Sequence, residues 1–254
     1  MNPLTEVVQW FTDPAHWQGP NGVPTRLVEH VGLVALAVGI ACLVALPIAL
    51  VLGHLGRGGT LAINVSNVGR AVPTFAVLVL LAIGPLGIGS KATVTALVLF
   101  AIPPILTNTY VGMRQVDRDV VEAARGMGMS GGELLRKVEL PLAMPLVMAG
   151  LRTSAVQVVA TATLAAIVAG GGLGRIITQG IAFQDQAQVV AGALLVALLA
   201  LIVELAMAGL QRRTDVRRRA AREARATGAA DAESEGAESA GAGADDDDRV
   251  LTGL

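Results

Sequence analysis

Residues 114–141 read RQVDRDVVEAARGMGMSGGELLRKVELP and form the longest polar interruption between two apolar runs, at about 92–113 and 143–169. Residues that start and stop helices recur in this stretch at short intervals, so the sequence predicts a folded segment rather than an irregular loop. Its two halves predict two short helices separated by glycines.

The first half predicts a short amphipathic helix. Asp119 is followed three residues later by Glu122, which is the spacing of a capping box that satisfies free N–H groups in the first turn. Gly126 and Gly128 are expected to end the helix, and Gly128 to supply a turn with positive φ. The predicted apolar stripe comprises Val120, Val121, Ala124 and Met127.

The second half predicts another short helix. Ser130 and Glu133 have capping-box spacing, and Glu133 and Lys137 form an i,i+4 pair of opposite charge. Pro141 is expected to stop this helix. Two helices too short to span a bilayer would form a protruding knob suited to docking into a partner. A hairpin that lies on the membrane surface without a partner is the alternative that the spacing leaves open.

The rest of the chain is apolar enough for a bilayer to be its solvent. Of its 254 residues, 53% are hydrophobic and only 15% are charged, and the mean hydropathy is +0.62, which is more apolar than an ordinary soluble domain. Five segments reach the length of a spanning helix, so the predicted fold class is an all-α polytopic membrane protein. The predicted spans are about 30–53, 62–84, 92–113, 143–169 and 188–210.

Lysine and arginine in the short loops predict the orientation, because cytoplasmic loops carry an excess of these residues. With five spans, the basic loops share one side, which places the N-terminus outside and the C-terminus in the cytoplasm. The predicted cytoplasmic set is Arg57, Arg114, Arg118, Arg125, Arg136, Lys137 and the arginines after Gln211, and the opposite set is Arg26, Lys91 and Arg175.

Three regions follow from this pattern. Residues 1–28 predict an extracytoplasmic, interfacial segment, and residues 29–211 a transmembrane domain with a cytoplasmic loop at 114–142. Residues 212–254 are first basic and then acidic, with too few large apolar side chains to offset the entropy of ordering the chain. This tail is therefore predicted to be cytoplasmic and disordered.

The two short helices resemble the cytoplasmic EAA loop of permease subunits of ATP-binding-cassette (ABC) importers. The triplet Glu-Ala-Ala at 122–124, Gly128 and the apolar-x-Leu-Pro ending at 138–141 occur in the order of that loop. In this family the loop forms coupling helices that enter a cleft of the ATPase subunit. The resemblance implies a coupling role for Glu122, Ala123, Ala124, Gly126, Gly128, Val138, Leu140 and Pro141.

Over about residues 25–182 the chain is similar to permeases of glycine betaine, carnitine and choline importers, the osmoprotectant branch, above all at 108–130, 138–154 and 170–181. The resemblance implies a type I importer permease fold in a bacterial inner membrane. It also implies a second permease copy or paralogue, two ATPase subunits that use ATP and Mg²⁺, an extracytoplasmic solute-binding protein and no cofactor in this chain. A methionine-like or other amino-acid branch is the alternative for the solute.

Three ionisable residues lie well inside predicted spans: Arg70, Arg152 and Glu204. At about 1.5 Å per residue from the cytoplasmic ends of their helices, all three fall at a similar shallow depth. Charges in a bilayer are usually paired or line a pathway. Two interpretations stay open, namely an Arg–Glu pair that joins the second, fourth and fifth spans, or separate snorkelling of each side chain to the interface.

Polar side chains in the spans are candidates for the solute path. A quaternary ammonium ion is normally bound by several aromatic faces, and aromatic residues are scarce in the predicted spans. We therefore expect the separate binding protein to supply selectivity while the permease offers a weakly binding path. The candidate lining residues are Thr74, Phe75, Asn108, Thr109, Tyr110, Thr153 and Gln157, although such polar residues more often hydrogen-bond between helices.

Other classes of protein have less support. An ion-coupled secondary transporter would favour inverted repeats and ionisable residues at the bilayer midplane, and the sequence shows neither. His16, His30 and His54 lack metal-ligand spacing, and Cys42 is the single cysteine, so neither a metal site nor an enzyme is predicted. Membrane lipid is an expected partner and nucleic acid is not.

The predicted orientation is tested by labelling introduced cysteines. Ser130→Cys should react only with a thiol reagent that reaches the cytoplasm, because Ser130 lies in the basic loop. Ser90→Cys should react with an impermeant external reagent. The opposite labelling pattern would reverse the predicted topology.

Overall fold

The structure is a computed structural model that describes residues 3–60, 64, 68–69, 72–84, 86–168 and 170–214. Two 3₁₀ segments, Pro14–Trp17 and Leu164–Val168, accompany the α-helices of this described part. The helices are α1 (Pro3–Thr12), α2 (Val23–Leu55), α3 (Thr74–Ile83), α4 (Ser90–Arg114), α5 (Arg118–Gly126), α6 (Gly131–Ala162), α7 (Gly174–Phe183) and α8 (Gln186–Thr214).

Four of the described helices, α2, α4, α6 and α8, are long and apolar enough to cross a membrane. They correspond to the first, third, fourth and fifth predicted spans, and the predicted all-α polytopic membrane fold is confirmed. The prediction of a single helix over the second span is wrong, because the chain is extended at Pro73 and α3 begins only at Thr74. The physical reason is that a proline ring disfavours helical geometry in the residue before it, here Val72.

The core of the described chain is formed where α2, α4 and α6 pack together. Small residues recur at every fourth position along one face of α2, and all of them are fully buried. Lipid provides no hydrophobic driving force between helices, so close approach through small side chains is the source of van der Waals contact. The residues of this face are Ala37, Ala41, Ala45 and Ala49, followed by Gly53.

Glycines mark the closest helix crossings. A Cβ atom added at Gly53 of α2 would lie 2.4 Å from the Cβ of Met113 in α4. In the same way, a Cβ at Gly150 of α6 would lie 2.8 Å from the Cβ of Asn108. Both distances are far shorter than two carbon atoms allow, so α4 is held against α2 and α6 at spacings that only glycine permits.

Beyond α6 the chain turns back through a glycine-rich connection that is fixed by α2. His30 is fully buried, and its Nδ1 accepts from the N–H of Leu173 at 3.3 Å. The proton therefore lies on Nε2, which donates to the carbonyl of Val159 at 3.0 Å. Glu29 accepts from the N–H of Gly172 at 3.0 Å. These bonds satisfy backbone groups that the interrupted helix leaves free.

The helix α6 corrects the prediction that Pro141 stops a short second helix. The chain stays helical from Gly131 to Ala162 and passes through a π-helical turn at Leu135–Glu139. In this turn the N–H of Leu140 donates to the carbonyl of Leu135, five residues back. A proline ring clashes with the carbonyl four residues before it in a regular α-helix. The wider turn directly before Pro141 accommodates the ring, so the second short helix is the start of a spanning helix.

The two ends of the chain differ in part from the predicted regions. The helix α2 already begins at Val23, inside the segment 1–28 that was predicted to be interfacial. In α1, Trp10 is buried in the main hydrophobic cluster. The helix α8 includes the first residues of the predicted tail and ends at Thr214. The rest of the predicted tail lies outside the described residues.

The contact at Gly53 predicts a measurable effect on stability. Gly53→Ala should lower the melting temperature of the purified chain in detergent, because overpacking a close crossing costs about 1–3 kcal/mol. Gly39→Ala, in the same helix with no heavy atom within 4 Å of the added Cβ, is the matched control and should be neutral or stabilising. Equal melting temperatures for the two variants would contradict the close packing of α2 on α4.

Candidate coupling and translocation sites

The helix α5 opens the 114–142 loop and begins two residues earlier than the sequence predicts. Its N-cap is Asp117, whose Oδ1 accepts from the N–H of Asp119 at 2.9 Å. The predicted capping box of Asp119 with Glu122 is therefore wrong. Asp119 lies in the first turn, where its charge favours the positive end of the helix dipole, and the exposed Glu122 lies mid-helix.

The end of α5 is a Schellman motif that requires glycine. The N–H of Gly128 donates to the carbonyl of Arg125 at 2.9 Å, and that of Met129 donates to the carbonyl of Ala124 at 3.3 Å. Gly128 has φ +85°, which confirms the predicted positive φ. This left-handed residue reverses the chain toward α6, and any L side chain here would be strained.

The beginning of α6 agrees with the sequence prediction. Ser130 is the N-cap of a complete capping box, since its N–H donates to Glu133 Oε2 at 3.2 Å and its Oγ accepts from the N–H of Glu133 at 3.4 Å. Lys137 Nζ lies 3.2 Å from Glu133 Oε1, as the i,i+4 spacing predicts. Both ends of the turn between α5 and α6 are therefore fixed by local hydrogen bonds.

One side of α5 is buried and the other is open. Val121 and Ala124 pack in an apolar cluster with Met113 and Leu134. The predicted apolar stripe is only half right, because Val120 is 43% exposed and Met127 is 73% exposed. One side of the loop thus packs on the membrane helices. The other side carries exposed apolar side chains.

The residues predicted to couple the chain to an ATPase divide between these two sides. Those on the open side are Glu122, Ala123, Gly126 and Gly128, whereas Ala124 is buried and Val138, Leu140 and Pro141 are half-buried at the start of the spanning part of α6.

A hydrogen-bonded pair of titratable side chains beneath the loop was not predicted. Glu139 lies in the π-helical turn with 5% of its surface exposed, and its Oε2 lies 2.5 Å from Nδ1 of His54, in the last turn of α2. The sequence carries only a weak signal for this pair, namely a lone acidic residue between the apolar Val138 and Leu140. Its partner is 85 positions away along the chain.

A second site is a polar cavity of about 650 Å³ lined by the middle of α6 and by α8. It contains Arg152 and Glu204, which the structure brings into contact. Arg152 also donates to Gln211 Oε1 at 3.4 Å, and Gln211 Nε2 donates to the carbonyl of Pro145 at 3.1 Å. The contact favours the paired interpretation over separate snorkelling. The lining of the cavity is Ala149, Arg152, Thr153, Val156, Gln157, Glu204 and Gln211.

The other predicted path residues are not part of this cavity. Asn108 donates to the carbonyl of Pro104 at 2.8 Å within α4, and its neighbours Thr109 and Tyr110 are buried. Thr74 and Phe75 begin α3, and Phe75 is exposed. Of the predicted path residues, Thr153 and Gln157 are thus the two that line the cavity. Arg70, which was predicted to join the charge pair, lies outside the described residues.

Among the described residues, no group of three or more histidine, cysteine, aspartate or glutamate side chains is arranged to hold a metal ion. The site is therefore described by its helices, its ion pairs and its exposed loop.

Long apolar helices, a polar cavity between two of them and a folded loop with an open apolar side define a membrane transport subunit. The chain belongs to the family described as binding-protein-dependent transport system inner membrane component, which matches residues 38–216. It is therefore an integral membrane permease subunit of the ABC importer class rather than an enzyme. Membership of this class implies an ATPase and a substrate-binding protein as partners in general terms.

Named relatives support the same assignment. The chain is 39% identical over 227 residues to the carnitine transport permease protein OpuCB of Listeria monocytogenes, covering 89% of this chain and 100% of the relative. It is 37% identical over 188 residues to the choline transport system permease protein OpuBB of Bacillus subtilis (strain 168), covering 74% and 86%. The predicted resemblance to the osmoprotectant branch is confirmed.

A solved structure shows the same fold. The chain superposes with a TM-score of 0.67 on a chain of the inward-facing MetNI methionine ABC transporter, at 21% identity and covering 80% of this chain and 99% of that one. The predicted type I importer permease fold is confirmed by this likeness, which at such low identity bears on the fold alone.

The pair in the polar cavity predicts coupled effects of mutation. Arg152→Gln and Glu204→Gln should each lower the yield and thermal stability of the purified chain, because each leaves one charge in the membrane without its partner. The double variant should recover part of the loss. Lys91→Gln, at the exposed start of α4, controls for the loss of one positive charge. Strictly additive losses in the double-mutant cycle would favour separate snorkelling instead.

Proposed function

We propose that this chain is the permease of an osmoprotectant importer in a bacterial cytoplasmic membrane, with glycine betaine, carnitine, choline or a related trimethylammonium compound as its solute. The observation that carries the proposal is the 39% identity to a carnitine transport permease along that relative's whole length. One set of these helices does not enclose a path, so a second copy or a paralogue completes it. An extracytoplasmic binding protein delivers the solute.

The open side of the 114–142 loop is the proposed docking surface for the ATPase, with one ATPase subunit below each permease. It offers Val120 and Met127 as apolar contacts and Glu122 as a charged one. Exposed apolar side chains on a rigid, capped element are typical of a surface that a partner covers. ATP and Mg²⁺ are bound by that partner. In this arrangement the loop and the C-terminus face the cytoplasm.

The polar cavity is a proposed part of the solute path. Thr153 and Gln157 offer uncharged hydrogen-bonding groups, and the Arg152–Glu204 pair presents both signs of charge beside them. A zwitterion such as a betaine meets a favourable partner for each of its charges there. The interactions are shared with an internal ion pair, so the solute is held weakly and can pass.

Uptake in a transporter-deficient bacterial host tests the proposal. With its partner ATPase and binding protein, the chain should take up choline, carnitine or glycine betaine in preference to methionine. Preference for methionine would move the chain to the neighbouring amino-acid branch. Uptake that continues without the ATPase would contradict an ATP-driven importer.

The docking surface is tested in the same host with paired glycine variants. Gly128→Ala should lower uptake at equal amounts of chain in the membrane. A left-handed conformation costs a non-glycine residue about 1–2 kcal/mol, and a backbone that changes to avoid this cost would change the direction in which α6 begins. Gly132→Ala is the matched control, since Gly132 has open space and no positive φ and is not among the predicted coupling residues. Glu122→Ala should weaken retention of the ATPase and leave the chain folded. Wild-type retention and uptake in all three variants would show that the loop is not the docking element.

A further inference from the structure

The loop that carries the proposed docking surface is attached to α2 by one directional contact. Nδ1 of His54, in the last turn of α2, lies 2.5 Å from Oε2 of Glu139, in the π-helical turn of α6. This separation is that of a hydrogen bond between the ring nitrogen and the carboxyl oxygen. Glu139 is the one buried carboxylate among the described residues, and a buried carboxylate is costly to leave without a partner.

The position of His54 is set by the ends of two other helices. Just before it, Gly53 lets α2 approach Met113 at the end of α4. On its other side, a Cβ at Gly131, the first residue of α6, would lie 3.5 Å from His54 Nε2. The imidazole therefore lies close to the first residue of α6 and within hydrogen-bond distance of its π-helical turn. A movement of the loop relative to α2 would change both distances.

The other contacts beneath the loop are apolar. Val121, Ala124 and Leu134 pack with Leu46 and Leu50 of α2 in one cluster. Hydrophobic burial is non-directional, so such a cluster permits small rotations and sliding. The short hydrogen bond between the half-buried His54 and the buried Glu139 has a preferred direction and length. The pair therefore fixes the angle between the loop and α2, which the apolar cluster alone does not.

The π-helical turn is the point nearest the loop at which α6 can bend, and Pro145 lies further along the helix. Its backbone hydrogen bonds join residues five apart, instead of the four of an α-helix. Such turns occur often at functional sites. If this turn had no contact with the rest of the protein, a displacement of the loop could change the conformation of the turn and go no further along α6. Because Glu139 is the last residue of this turn, the bond from His54 holds it at that point.

From this arrangement we infer that His54 and Glu139 are positioning residues for energy coupling: they tie the π-helical turn to α2, so that movement of the docking loop reaches the membrane helices instead of being lost in the turn. The inference rests on the proposed docking function of the loop. Neither residue belongs to the open side, so their loss leaves the ATPase contact in place.

Reconstituted transport tests this inference, with the permease, its ATPase and its binding protein in liposomes. Glu139→Leu and His54→Leu should each lower the solute transported per ATP hydrolysed by about tenfold, the factor that corresponds to loss of a hydrogen bond to a charged group. The amount of ATPase retained should stay within about twofold of wild type, because the open side is unchanged. Glu139→Gln keeps an acceptor for His54 and should restore most of the transport per ATP.

The double variant His54→Leu with Glu139→Leu separates positioning from simple stability. A well-packed apolar pair can replace a buried ion pair without loss of stability, so this variant should regain the melting temperature of the wild type. It should not regain transport per ATP, because the directional contact is missing. If it regains both, or if the single leucine variants transport as efficiently as wild type, the inference is overturned. A wild-type chain that retains no ATPase would instead overturn the proposed function and this inference with it.

Discussion

The close packing of α2 against α4 is the constraint on which the rest of the structure depends. Between helices in lipid there is little hydrophobic driving force, so stability comes from van der Waals contact at short range and from a few polar bonds. The alanine face of α2 and the crossing at Gly53 provide that contact. The same crossing places the last turn of α2, with His54, directly beneath the loop that α4 and α6 support.

The loop is consequently stabilised from two directions. Its own ends are closed by local bonds, a Schellman motif at Gly128 and a capping box at Ser130. Its underside is held by tertiary contacts to helices that are far away in the sequence. Local bonds make the loop rigid and tertiary contacts orient it. A docking surface needs both properties, because a rigid loop on a free hinge would move without displacing the membrane helices.

The sequence was informative wherever structure is set by neighbours along the chain. Length and hydropathy predicted four of the long helices, and the signals at Gly128 and Ser130 predicted the turn between α5 and α6. The prediction failed at Pro141, because a proline stops an α-helix only if the helix cannot widen ahead of it, and here a π-helical turn does so. The pair of His54 with Glu139 was missed because no local pattern marks a contact across 85 positions. The cavity was predicted in part: the depths of Arg152 and Glu204 suggested a charge pair, and Thr153 and Gln157 were among the candidate lining residues, whereas Gln211 was missed.

The helix α6 connects the features that bear on function, and their order along it matters. It begins at the turn after the docking surface, passes through the π-helical turn at Glu139, and thirteen residues later reaches Arg152 in the polar cavity. At 1.5 Å per residue this separation is about 20 Å. From Leu140 onward the chain stays α-helical to Ala162, with Pro145 inside the helix. The π-helical turn is the point on this route nearest the loop where displacement can be lost, and it is the point that the hydrogen bond between His54 and Glu139 ties to α2. A physical route between two sites requires such an element with a defined attachment rather than proximity alone. Here the proposed attachment is the hydrogen bond between His54 and Glu139, in addition to the apolar cluster beneath the loop. We therefore expect coupling to be more sensitive to these two residues than stability is.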